Sequence, residues 1–199
     1  TAQKILNHLS EGKPARSIID VHEMEDETKE FNLISIKPII YVCNVDEDSI
    51  AKGNDLTSAL IEKIDDGNII IISAEIESQI SQLDESEQLE FLSTLNLEDS
   101  GLNKIISSGY AILNLVTYFT AGPEEARAWT IKVNTLAPDA AGKIHTDFKK
   151  GFIRAETVSY NDFIECNGES KARELGKLRS EGKEYKVQDG DVMHFLFNN

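Results

Sequence analysis

Two short stretches carry side chains that could do chemistry. The first is IIYVCNVDED, Ile39 to Asp48, in which an apolar run stops on Asn44 and then three acids within four residues. The second is ISAE, Ile72 to Glu75, which closes another apolar run with Ser73, Ala74 and Glu75. Amides, carboxylates and main-chain groups at strand ends can match the donors and acceptors on a purine edge. The same residues also make an ordinary loop, since Asn and Asp are turn formers. The two readings differ in whether the strands bring both loops to one place.

The elements that would do so are legible. Lys37 and Pro38 lead into a strand at Ile39–Cys43, and a second strand runs over Ile69–Ser73 after the turn signal Asp66-Gly67. Asn54 or Asp55 caps a helix through Ile64, with Leu56, Leu60, Ile61 and Ile64 as its apolar face. The strands are apolar on successive residues, which fits burial on both faces of a parallel sheet. Strand, helix, strand is then a crossover unit. In such sheets ligands bind at the carboxyl ends of the strands, where NVDE and SAE stand. This layout resembles the base-recognition loops of P-loop nucleotide hydrolases, where N-K-x-D and S-A-K close around guanine.

The differences from that pattern bear on the base. Val45 stands for lysine and Glu47 for aspartate. Glu47 is one methylene longer, so its carboxylate is misplaced for the two guanine donors. Facing adenine N1, a carboxylate would set acceptor against acceptor. A backbone C=O and N–H pair, such as that of Val45, can match adenine instead. The phosphate loop G-x-x-x-x-G-K-[ST] is absent. Gly12-Lys13-Pro14, Gly142-Lys143-Ile144 and Gly176-Lys177-Leu178 all lack the hydroxyl residue and the earlier glycine. This chain alone is therefore expected to be inactive in hydrolysis and to hold no nucleotide tightly.

The remaining chain sets the frame. The 199 residues are 40% hydrophobic and 28% charged, which is globular composition. The longest aliphatic run, Ile69–Ile72, is far too short to cross a membrane. Cys43 and Cys166 each sit alone in apolar segments and read as reduced core thiols of a cytosolic protein. No Cys/His grouping has metal spacing. Residues 1–116 hold 22 acids and 8 bases, a net −14, whereas residues 117–199 hold 13 and 12, a net −1. An acidic surface repels nucleic acid, so RNA contact is expected only in the second part.

Residues 1–12 read as a helix with Ile5, Leu6 and Leu9 on one face, and residues 22–31 as an acidic, helical stretch. The uncapped start at Thr1 suggests a piece of a longer chain. A long helical stretch follows Ser73, with Leu89, Leu92 and Leu95. A second helix, around Leu102–Ile112, is capped by Asp99 or Ser100. The second part begins with two β runs around Ala121-Gly122-Pro123, then a helix over Ala140–Lys150. AETVSYNDFIEC reads as a strand, SKARELGKLRSEG as a short helix, and YKVQDGDVMHFLF as a strand pair around Asp189-Gly190. That order is a β-grasp domain, a mixed sheet over one helix. Trp129, Phe148, Phe152, Tyr160, Phe163, Phe195 and Phe197 are expected in its core. His145 and Asp147 suit a helix cap, packing or a partner contact better than acid–base work, since no nucleophile or metal ligand accompanies them.

The longest motifs sharpen this reading. GKPARS (Gly12 to Ser17), KPIIYVCNVDED, ISAEIE, AWTIKV, APDAAGKIHTDFKKGFIRAETVSYNDF (Ala137 to Phe163) and GKEYKVQDGDVMHFLFN together resemble the YchF or Obg-like ATPase family across essentially the whole chain. The resemblance implies an α/β fold in three parts. Residues 1–35 would end an inserted helical (coiled-coil) domain, 36–116 would form the C-terminal part of the P-loop nucleotide domain, and 117–199 a TGS domain. It implies ATP with Mg²⁺ as the ligand of the full-length protein, hydrolysed in preference to GTP, the phosphate and Mg²⁺ residues lying before Thr1. Asn44, Val45 and Glu47 would then read the base together with Ser73, Ala74 and Glu75, Asn44 also bracing the two loops. The ribosome, through its large subunit, would be the partner, with RNA touched by the TGS part; neither membrane nor DNA is expected. Lys149, Lys150, Arg154, Lys177 and Arg179 are the candidate contacts, unless they simply balance neighbouring acids. The rival from another class is a non-enzymatic RNA- or protein-binding module.

Overall fold

The computed structural model describes residues 2–18, 28–64 and 68–198. The chain divides into two compact units, residues 1–109 and 110–199. The acidic stretch at 22–27 and the Asp66-Gly67 turn lie outside the described residues; residues 29–31 form a single 3-10 turn.

In the first unit β1 (Tyr41–Asn44) and β2 (Ile69–Ile72) pair in parallel, with Asn44 opposite Ile72. The crossover between them contains α2 (Asp55–Lys63), the helix after α1 (Ala2–Ser10). The cap of α2 is Asn54, not Asp55. Its Oδ1 accepts from Leu56 N and Thr57 N, both at 3.1 Å, and Thr57 Oγ1 accepts from Asn54 N at 2.8 Å. Gly53 precedes it at φ +75°, where a Cβ would meet Thr57 Oγ1 at 2.3 Å, so glycine is required twice over. That box turns Thr57 inward. The covered stripe of α2 is Thr57, Leu60 and Ile64, while Leu56 stands 80% exposed and Ile61 is exposed too. Of the expected apolar face, Leu60 and Ile64 are covered, while Thr57 takes the place of Leu56 and Ile61. In α1, likewise, Ile5 is buried and Leu6 is exposed.

Within this chain the two strands are not buried on both faces either: Val42 is 44% exposed. Helix α3 (Ala74–Ile80) follows β2 directly. The expected long helix then breaks, since Asp84 caps a new one, α4 (Glu85–Thr94), accepting from Ser86 N and Glu87 N. Helix α5 (Gly101–Ile112) comes next, and the division between the units falls within it. Its cap is Ser100, whose Oγ accepts from Asn103 N at 3.1 Å. The core joins Val45, Ile50, Ile76, Ile80 and Leu92, and a smaller cluster joins Ile5, Ala15 and Ile18.

The second unit is a five-stranded mixed sheet of order β4-β3-β7-β5-β6. The hairpin β3 (Leu115–Ala121) and β4 (Ala126–Lys132) comes first in the chain. Then come β5 (Phe152–Ser159), β6 (Arg179–Glu181) and β7 (Asp191–Phe197), which lies in the middle, antiparallel to β5 and parallel to β3. This is the β-grasp arrangement. Helix α6 (Ala137–Ile144) packs Ala137, Ala140 and Ala141 in one cluster with Tyr118, Ile131, Ala155, Met193 and Phe195. Three alanines let the helix approach closely, and the buried Tyr118 hydroxyl donates to Ala140 O at 2.8 Å.

Several elements differ from expectation. The helix over 140–150 is two, because His145 turns extended and caps α7 (Thr146–Lys150) by accepting from Asp147 N. This is the cap reading of His145. AETVSYNDFIEC is strand only to Ser159. Ser159 Oγ then accepts from Asp162 N at 3.2 Å and starts α8 (Tyr160–Glu165), so Tyr160 is half exposed rather than in the core. SKARELGKLRSEG splits into α9 (Glu169–Glu174) and β6. The final strand pair is one strand, with a single bridge from Leu136 to Lys186. The turn at Asp189-Gly190 instead ties to β3: Asp189 Oδ1 accepts from Thr117 N at 2.7 Å and Gly190 N donates to Thr117 O at 2.8 Å. Cys43 and Cys166 are both free thiols, Cys166 buried and Cys43 half-buried.

Candidate nucleotide-base site

The parallel register sets Asn44 and Ile72 side by side, so the loops after β1 and β2 emerge together. Asn44 Oδ1 accepts from Ala74 N at 2.9 Å, which pins the end of the first strand to the start of α3. The bracing role of Asn44 is thus present, and its two amide N–H groups remain as donors. Three residues on, Glu47 Oε1 accepts from Gln79 Nε2 at 3.1 Å. The two loops are joined at two points. Asp46 Oδ1 meanwhile accepts from Ser49 N and closes a 3-10 turn over Glu47–Ser49. The acids after Asn44 therefore work within the loop rather than as a free cluster.

One part of the expectation needs correction. Val45 N donates to Ile72 O at 2.8 Å, so it belongs to the sheet ladder and cannot also donate to a base. The Val45 side chain is buried in the core with Ile50 and Ile76. Only the Val45 carbonyl is left for an adenine edge. Ser73 is buried at the head of α3, whereas Ala74 and Glu75 are exposed on its first turn. A cleft of about 570 Å³ opens nearby among Ile50, Ala51, Asn96 to Asp99 and Lys104, but none of the six loop residues lines it.

Comparison with known proteins decides the lineage. The family model YchF-GTPase_C, described as a protein of unknown function, matches residues 115–198. The ribosome-binding ATPase YchF of Haemophilus influenzae is 49% identical over 198 residues, covering 98% of this chain and 54% of that protein. The Bacillus subtilis protein of the same name is 46% identical over 203 residues, covering 98% and 56%. The chain belongs to the YchF family. The structure of the Schizosaccharomyces pombe YchF GTPase superposes with a TM-score of 0.82 at 34% identity, covering 98% of this chain and 53% of that one. This chain spans about half the length of the curated YchF proteins it matches. Their names differ in the nucleotide, ATPase for the two bacterial proteins and GTPase for the yeast structure.

In this YchF chain the five candidate cations of the second unit are all paired. Lys149 meets Asp139, Lys150 lies 3.9 Å from Asp147, and Arg154 lies 3.5 Å from Glu156. Lys177 Nζ donates to Asp162 at 2.8 Å, and Arg179 reaches both Glu181 and the buried Asp191. Hydrogen bonds from Lys177 and Ser159 hold the Asp162 carboxyl below the ordinary carboxylate value, and the Asp162 bond raises Lys177 in turn. Arg173 does the same to Glu156. Burial, and then the hydrogen bond to Asp191, pushes the Tyr185 hydroxyl up. Sequence reasoning missed Gln79 and Glu77. Both sit on α3 and face elements distant in sequence, and only their helical spacing from SAE hinted at it. Among the described residues no helix is long and apolar enough to cross a membrane, and no His, Cys, Asp and Glu group could hold a metal.

Proposed function

We propose that this chain is the base-reading half of a nucleotide site plus a ribosome-contacting TGS domain. On this reading the full-length protein is a cytoplasmic ATPase that binds the large ribosomal subunit. ATP, with Mg²⁺, is taken in preference to GTP. The observation that carries the reading is the 2.9 Å bond from Ala74 N to Asn44 Oδ1, which joins the NVDE and SAE loops at the carboxyl ends of paired parallel strands. Asn44 donates to the purine N7 side, and the Val45 carbonyl accepts from the adenine 6-amino group. A guanine would present its carbonyl oxygen there, acceptor to acceptor. Glu47, held by Gln79, takes no part in grasping a guanine edge. Ser73, Ala74 and Glu75 form the second wall. The relatives named ribosome-binding ATPase support the overall activity and partner.

The residues described here suit the base alone. Triphosphate and Mg²⁺ need a glycine-rich cradle that these residues lack, so hydrolysis belongs to the full-length protein. Lys149, Lys150, Arg154, Lys177 and Arg179 serve ribosomal RNA by exchanging their carboxylate partners for phosphates, at low net charge. The test is the substitution Glu47→Asp in the full-length protein, with Val45 kept because its side chain packs in the core. Calorimetry is expected to shift binding toward GTP by about tenfold or more, the scale of one bidentate base contact. An unchanged ATP preference would remove the Glu47 side chain from base selection.

A further inference from the structure

We propose that Glu77 is a positioning residue for the base-reading loops, with Gly101 as its counterpart; this rests on the nucleotide reading above. Glu77 is the fourth residue of α3, two beyond the SAE segment. Its carboxylate spans to another element. Oε1 accepts from Gly101 N at 2.6 Å and Oε2 from Leu102 N at 3.1 Å. These are two of the first N–H groups of α5, which no carbonyl of that helix reaches. A carboxylate there is favoured both by its charge and by two charge-assisted bonds.

Gly101 closes the same junction from the other side. A Cβ at this position would stand 2.5 Å from Ile72 Cγ2 and 2.9 Å from Glu77 Oε1. Ile72 ends β2 and Glu77 lies in α3, so the head of α5 presses on both flanks of Ser73–Glu75. The segment between those flanks presents Ala74 N to Asn44. Glu77 therefore fixes the SAE loop, and through Ala74 it fixes the orientation of the Asn44 amide. It touches no nucleotide itself. Its effect reaches the base by way of Asn44.

The experiment compares ATP with inorganic tripolyphosphate, which has no base, by calorimetry on the full-length protein. Glu77→Ala and Gly101→Ala are expected to raise the ATP Kd by about tenfold, the order of a lost helix cap, with tripolyphosphate affinity within about twofold. Glu77→Gln, which keeps one acceptor oxygen, is expected to recover most of that loss, to within about threefold of the parent. Equal weakening of both ligands would mean general damage and overturn the proposal. So would an ATP Kd unchanged in all three variants while Asn44→Ala raises it. If Glu77→Ala fails to fold, Glu77→Gln and Gly101→Ala decide by the same measure. If Asn44→Ala itself leaves ATP binding unchanged, the base reading fails, and Glu77 falls with it.

Discussion

Among the described residues, 110–199 bury side chains in clusters of ten and four, whereas 1–109 bury theirs in clusters of five and three. The difference follows from how each sheet is covered. Five strands with β7 in the middle make a surface wide enough to close over α6. Within this chain, which spans about half the length of the YchF proteins it matches, two parallel strands do not, and Val42, Leu56 and Ile61 stand exposed. Parallel strands ordinarily need cover on both faces. The unit with the thinner core is also the one that carries the joined loops. There, hydrogen bonds join the apolar cluster in holding the geometry: Ala74 to Asn44, Gln79 to Glu47, and the head of α5 to Glu77.

Three substitutions break or sharpen this contrast. Tyr118→Ala opens a hole at a fully buried ring that also holds Ala140, and is expected to cost about 3–5 kcal/mol. Trp129 is the sole tryptophan and packs 6.5 Å from Tyr118, so its fluorescence in a urea titration reports on this unit. A cost near 1 kcal/mol would place the load elsewhere. A second change acts through pH. Hydrogen bonds from Arg173 lower Glu156 from its usual 4.5. A lowered carboxyl contributes stability that is complete above pH 4.5 and is lost as pH falls through the folded value. Arg173→Met should therefore flatten the acid limb of the stability curve below pH 4.5; an unaltered limb would assign that limb to other groups. Smallest is Leu56→Ser, at a side chain 80% exposed, which should change stability by under about 0.5 kcal/mol. A larger loss would mean that α2 is covered on its outer face.

Much of this was legible because the signals were local. The Asn54 cap, the hairpin at Gly122-Pro123 and the apolar strands all appear in the chain where the sequence suggests them. The misreadings have a common cause. A capping side chain overrode the apolar pattern at Thr57, at Asp84, at His145 and at Ser159. YNDFIE has strand-like aromatics and a branched residue, but the Ser159 hydroxyl and the Asp162 amide turn it into a helix. The base loops were legible by residue type and strand position. That Val45 N belongs to the ladder was not, since donor occupancy depends on register. Nor was Glu77, whose partners lie 24 and 25 residues away.

The place of β7 has a consequence for timing. It is the last strand of its sheet in chain order, yet it lies between β3 and β5 and joins the two halves of that sheet. As a polypeptide leaves a ribosome, the hairpin β3–β4 and the strand β5 emerge first and have no shared neighbour to pair with. The strand that pairs with both β3 and β5 arrives only when Asp191–Phe197 is made. The sheet of the second unit therefore cannot close until that strand has been made. Loss of those seven residues would take away the keystone of the sheet.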